Sequence, residues 1–147
     1  WSFSTAVNAV RASSIEILGG GTFTPPNGVS VSDSHGIWVS ESSSIRVRDN
    51  GKAGTVINGG NTALSTYRAS SMRFEGGTVN GDIRVRASSA MRVANTDVNA
   101  TSISASVTSQ LNFRGTTDLK GTDINCNPAG EVSVRNEVLN VGLVCGL

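Results

Sequence analysis

Several residue types are scarce in this chain. It carries two cysteines, three prolines, one histidine, one tyrosine and two lysines in 147 residues. Aromatic residues contribute 5% and charged residues 16%. A helical bundle or coiled coil needs Leu, Glu, Lys and Ala in quantity, and these types do not dominate here. No stretch of about 18 apolar residues occurs, so no segment is predicted to span a membrane. Twelve basic residues against eleven acidic ones leave a net charge of +1, which disfavours a protein built to coat nucleic acid. One histidine and two cysteines are poor material for a metal centre, and no cofactor is expected.

The abundant types are different. Ser, Thr, Asn and Gly supply 64 residues and Val another 17. That much Val at near-zero net charge argues against a disordered tail. The chain opens Trp1-Ser2-Phe3 with no Met and no apolar leader. The expectation is a processed product or excised domain, secreted or displayed on a cell surface.

An internal repeat organises these residues. Arg11-Ala12-Ser13-Ser14-Ile15, Arg68-Ala69-Ser70-Ser71-Met72 and Arg86-Ala87-Ser88-Ser89-Ala90-Met91 are near copies, each leading into an apolar-x-apolar strand. Weaker copies run into Ile45, Leu111 and Val132. Eight residues before each strand position lies another apolar residue: Val7, Ile37, Leu64, Ile83, Ile103 and Ile124. A third set follows: Phe23, Val56, Val79, Val98, Leu119 and Leu139. Successive units span 30, 27, 19, 20 and 21 residues. The core period is therefore about 20, with inserted loops at 24–36 and 49–60. Residues 1–6, through Trp1 and Phe3, are expected to cap one end, and 124–147 to form the last turns and the other cap.

Three short period-2 strands in about 20 residues leave no room for a helix. A parallel coil fits, each strand pairing with its equivalent about 4.8 Å away. Equivalent side chains then stack in columns. The apolar columns become one core, and Ser13, Ser43, Ser70, Ser89 and Ser109 become a hydroxyl ladder at a corner. Residues 1–147 read as a single all-β domain of about six to seven turns, roughly 30 Å long.

In repeat form the sequence resembles the right-handed parallel β-helix superfamily, which includes pectin-degrading enzymes, phage tailspikes and adhesin passenger domains. The resemblance runs from Val7 to Cys145 through corners of the Ala-Ser-Ser-x-Met-Arg-Val kind. It implies a right-handed solenoid, and it implies a fold more than an activity.

Cys126 and Cys145 are 19 residues apart, one period, and so fall at similar places in adjacent turns. That placement favours a disulfide clasping the last coil over two buried thiols or a metal site.

Catalytic signals are sparse. His35, with Asp33 beside it, is a candidate general base, against the plainer reading of a solvated loop residue. Asn95-Thr96-Asp97 matches one motif of the superfamily's polygalacturonases, but no Asp-Asp pair and no Arg-Ile-Lys accompany it. The outward acids Glu16, Glu41, Glu75, Asp82 and Asp97 fall on different turns and make a poor calcium cage. Gly19-Gly20-Gly21 is followed by no helix or Lys and is no phosphate loop. Thr22, Thr55, Thr78 and Thr96 form one ragged column, not a flat ice-binding array.

The outward residues of the second strand read Glu16, Arg46, Arg73, Arg92, Asn112 and Ser133. Arg48, Arg68, Arg84 and Arg86 are expected around them. Stacked like charges repel, and Glu41 and Glu75 are placed to offset this. Arginine's planar fork binds carboxylates bidentately. The leading expectation is a non-catalytic module binding an elongated acidic glycan across Arg46, Arg73, Arg92 and Arg68, with Trp38 and Tyr67 as stacking platforms. A plainer reading is a salt-bridged face on a structural or adhesin segment, with a trimer admitted. An enzymatic reading is a small lyase, hydrolase or epimerase acting on a uronate polysaccharide through His35, Asp33 or an Arg.

Overall fold

The computed structural model describes residues 4–25, 34–49, 54–126, 130–135 and 137–145. Among these residues the chain forms strands and no helix. One sheet runs β1 (Ser4–Ala9), β4 (Ser34–Ser40), β6 (Val56–Tyr67), β8 (Thr78–Val85), β11 (Ile103–Ala105) and β13 (Ile124–Cys126). On it β3 (Thr22–Phe23) pairs with β6, and β10 (Asp97–Asn99) with β8. The second sheet runs β2 (Ser14–Leu18), β5 (Ser44–Arg48), β7 (Ser71–Glu75), β9 (Ala90–Ala94), β12 (Gln110–Arg114) and β14 (Glu131–Val134). Strand pairing is parallel throughout both sheets. This all-β arrangement is consistent with a parallel β-solenoid.

Two apolar columns stack in the expected register. Val7, Ile37, Leu64, Ile83, Ile103 and Ile124 face one another in the first sheet. Ile15, Ile45, Met72, Met91, Leu111 and Val132 do so in the second. Both feed one continuous core. The third column departs at two points. Phe23 pairs with Ile57, not Val56, and Ile57 is fully buried. Leu139 is 50% exposed opposite Asp118, while Val138 turns inward. At both places two apolar residues are adjacent, and a slip of one residue reverses which side faces the core. The Thr column also dissolves, because Thr78 pairs with Val56 and Asp97, while Thr55 and Thr96 are buried.

Within the two expected inserts, β4 begins at Ser34 and β6 at Val56. Trp1 and Phe3, the expected cap, and Asp33 lie outside the described residues.

The corners before β2, β5, β7, β9 and β12 each use two successive left-handed residues: Arg11-Ala12, Glu41-Ser42, Arg68-Ala69, Ala87-Ser88 and Val107-Thr108. Each corner bonds to the next, as Ala12 N–H donates to Glu41 C=O at 2.9 Å and Ser42 N–H to Arg68 C=O at 3.0 Å. Beside them runs the serine ladder. Ser43 Oγ accepts from Ser13 N–H at 3.1 Å, Ser70 Oγ from Ser43 N–H at 3.4 Å, and Ser89 Oγ from Ser70 N–H at 3.2 Å. Ser43, Ser70, Ser89 and Ser109 are buried, and Ser13 is exposed at the end of the ladder. An asparagine ladder absent from the sequence reading lies on the first sheet. Asn99 donates to Asn80 and Asn80 to Asn58, each at 2.8 Å, and Asn58 donates to Thr24 at 3.0 Å.

At the far end Ile124 pairs with Val144, which brings Cys126 and Cys145 to a Cα separation of 4.8 Å, joined as a disulfide.

Candidate anion-binding trough

Strand alternation sets the site. With Ile45 and Val47, Met72 and Phe74, and Met91 and Val93 turned into the core, the residue between each pair must face outward. Glu16, Arg46, Arg73, Arg92, Asn112 and Ser133 therefore form one column along the second sheet. Two residues further along each strand a second outward column reads Leu18, Arg48, Glu75, Ala94 and Arg114. This face carries five guanidiniums against the carboxylates of Glu16 and Glu75. The whole chain is only +1, so positive charge is concentrated here and the remainder is net acidic.

Pairing within the face is uneven. Arg73 Nη2 lies 3.0 Å from Glu75 Oε2, and Arg46 Nη1 lies 4.0 Å from Glu16 Oε1. Arg92 and Arg114 have no ion pair among the described residues. The Nε atoms of Arg46, Arg73, Arg92 and Arg114 are buried without a hydrogen-bond partner. Yet the Arg46 and Arg73 side chains remain 38% and 36% exposed. The stems thus pack against the sheet and each other, and the outer ends of the forks face solvent. Desolvation, then the charges of Arg73 and Arg114, hold the Arg92 guanidinium below the usual arginine range, with Glu75 partly opposing them.

Beside the arginine column lies a column of smaller residues, Ser14, Ser44, Ser71 and Ala90, ending in Gln110 and Glu131. Missing side-chain bulk here leaves a depression of about 440 Å³ beside Arg46 and Arg73, and another of about 150 Å³ beside Arg92 and Arg114. Ser71 and Met72 line both, so the two lie side by side across the strands and together make up the trough. Ser44 Oγ donates to Ser14 Oγ at 3.2 Å in its floor. Gln110 Nε2 donates to Glu131 Oε2 at 3.3 Å at its end.

The remaining expected site residues are elsewhere. Trp38 lies on β4 and Tyr67 ends β6, both on the first sheet, before the corner that the arginine strands follow. Their ring centroids are 6.3 Å apart, inclined at 51°. The Arg68 guanidinium sits 5.0 Å over the Tyr67 ring and pairs with Glu41 at 3.5 Å. Tyr67 is therefore engaged by its own neighbour, and neither ring stands in the trough. Arg84, expected near the arginine column, is also on the first sheet, 3.2 Å from Asp82.

His35 is buried at 7% exposure, not a solvated loop residue, and its ring meets Trp38 edge-on at 4.7 Å. It shares a row with Thr62 and Asp82. Asp82 also accepts from Thr101 Oγ1 at 2.9 Å and Ser102 N–H at 2.8 Å, so both its oxygens are engaged. A further cluster centres on Asp118. The Lys120 side chain donates to it at 2.6 Å, the Lys120 N–H at 3.0 Å and Asn140 at 2.9 Å. These bonds, the Lys120 side chain foremost, bring the Asp118 carboxyl down to about 2. Neither cluster follows the apolar repeat, which is why sequence periodicity gave no sign of them. No group of three or more metal-ligating side chains occurs among the described residues.

Neither a known family model, nor a curated protein, nor a solved structure matches this chain. No described helix is long and apolar enough to cross a membrane.

Proposed function

We propose that the chain is a right-handed parallel β-helix of about six to seven turns that binds an elongated acidic glycan in the trough. The supporting observation is the register of Arg46, Arg73 and Arg92 on consecutive strands, with Arg92 and Arg114 in no ion pair among the described residues. Parallel strands repeat every 4.8 Å or so. An extended chain lying across them meets one guanidinium fork per strand, and carboxylates or sulfates suit that fork. Serine hydroxyls in the floor can hydrogen-bond sugar hydroxyls. A net charge of only +1 and two lysines in the chain weigh against nucleic acid as the polymer. The disulfide fits an oxidising compartment, and hence a secreted or surface module.

The test is calorimetric titration with polygalacturonate oligomers and with neutral dextran, at low and high salt. Salt-sensitive binding of the acidic oligomers, lost in an Arg46→Ala, Arg73→Ala, Arg92→Ala triple variant, supports the reading. Unchanged binding by that variant overturns it. Tighter binding of single-stranded DNA would replace the glycan with nucleic acid. Appearance of unsaturated uronate absorbance would replace the binding module with a lyase.

A further inference from the structure

Glu75 is the carboxylate set among the arginines. It faces outward between Arg48 and Ala94 in its column, and its Oε2 lies 3.0 Å from Arg73 Nη2. It is also the one acid whose charge opposes the depression of the Arg92 guanidinium. Chemically it presents to Arg73 what a uronate carboxylate would present. The pair is on one strand, two residues apart, with both side chains about one-third exposed. Exposed pairs of this kind are weak and exchange readily.

We infer that Glu75 is a built-in competitor that occupies Arg73 in the free protein and yields it to the ligand. The inference rests on the glycan reading above. Arg92 and Arg114, lacking carboxylates, take the first anionic groups. A ligand held there delivers its next anion to Arg73 at high effective concentration and displaces Glu75. A single sugar acid has no such advantage. Glu75 thereby keeps single sugar acids off Arg73, so that this fork is reached only by chains already held at Arg92 and Arg114.

The experiment compares wild type, Glu75→Gln and Glu137→Gln, the last making the same charge change at an exposed acid that does not line the trough. Each is titrated with galacturonate monomer and trimer. Glu75→Gln is expected to bind the trimer about three- to tenfold more tightly at low salt and to take up a further monomer, at Arg73, that wild type does not. Glu137→Gln should gain less than about twofold, the general effect of one charge. Glu75→Asp keeps the charge with a shorter reach, and is expected to fall between wild type and Glu75→Gln. Equal trimer affinity in wild type and Glu75→Gln overturns the role of Glu75 while leaving the glycan reading intact. Failure of every protein to bind the trimer removes the glycan reading itself.

Discussion

Arg73 and Arg92 are paired residues on adjacent parallel strands, two like charges facing outward from neighbouring rungs of one ladder. Folding brings them together against their mutual repulsion, which directly opposed like charges in a sheet resist. Arg92→Met, which removes the charge and keeps a packed stem, should therefore cost no stability, and at low ionic strength should gain up to about 0.5 kcal/mol in urea unfolding. The same variant should weaken polyuronate binding about tenfold, the loss of one charge-assisted hydrogen bond. Loss of stability together with unchanged binding would assign Arg92 a structural role.

Ser89 predicts the opposite pattern. Its buried Oγ is the acceptor for Ser70 N–H at 3.2 Å. Ser89→Ala leaves that donor unsatisfied in the interior and should cost about 1–3 kcal/mol. Ser14→Ala, at an exposed position, should stay within about 0.5 kcal/mol of wild type.

Gly77 has φ of +90°, and a Cβ there would stand 2.1 Å from the Thr55 carbonyl oxygen. Both backbone conformation and space exclude a side chain. Gly77→Ala should destabilise by more than about 2 kcal/mol, measured by thermal or chemical unfolding.

Reduction should loosen the far end first. The Cys126–Cys145 bridge closes a sequence separation of 19, and a loop of that size is worth about 3 kcal/mol of stability. Hydrogen exchange under reducing conditions should rise around Ile124 and Val144 while Met72 and Phe74 stay protected. Uniform loss of protection would show that the structure unfolds as one unit.

Asp118 titrates at about 2 instead of 3.8. Because its folded value is the lower one, its contribution is present above the unfolded value and is lost as pH falls through about 2. Lys120, raised by the same pair, loses its contribution as pH rises through its elevated value. Carboxyl NMR should report the Asp118 midpoint directly. Asn140→Ala should move it upward, and Lys120→Met further still.

How far these features could be read from sequence differs with their geometry. Columns such as Ile45-Met72-Met91-Leu111 and Arg46-Arg73-Arg92 recur at the repeat period, so spacing alone aligns them. Val56 and Leu139 do not occupy the core column that spacing predicts, because each neighbours a second apolar residue and alternation then has no unique phase. The grouping of Trp38 and Tyr67 with the arginines failed for another reason. Periodicity aligns residues along the stack but carries no angle between successive strands of a repeat. The trough itself depends on Ser44, Ser71 and Ala90 being small, and in a chain this rich in serine that is no signal. His35, Thr62 and Asp82 come together across insertions and register shifts in β6, which no fixed period can encode.

The paired left-handed corners have one more consequence. Residues with side chains avoid that conformation by roughly 1–2 kcal/mol apiece. At Arg11-Ala12, Glu41-Ser42 and Arg68-Ala69 the cost is offset by hydrogen bonds that run from one corner to the next. A corner of this shape is therefore favourable only against another already formed. Its geometry is templated, copied from neighbour to neighbour as on a growing crystal face, and a solitary unit, whatever its sequence, has nothing to copy.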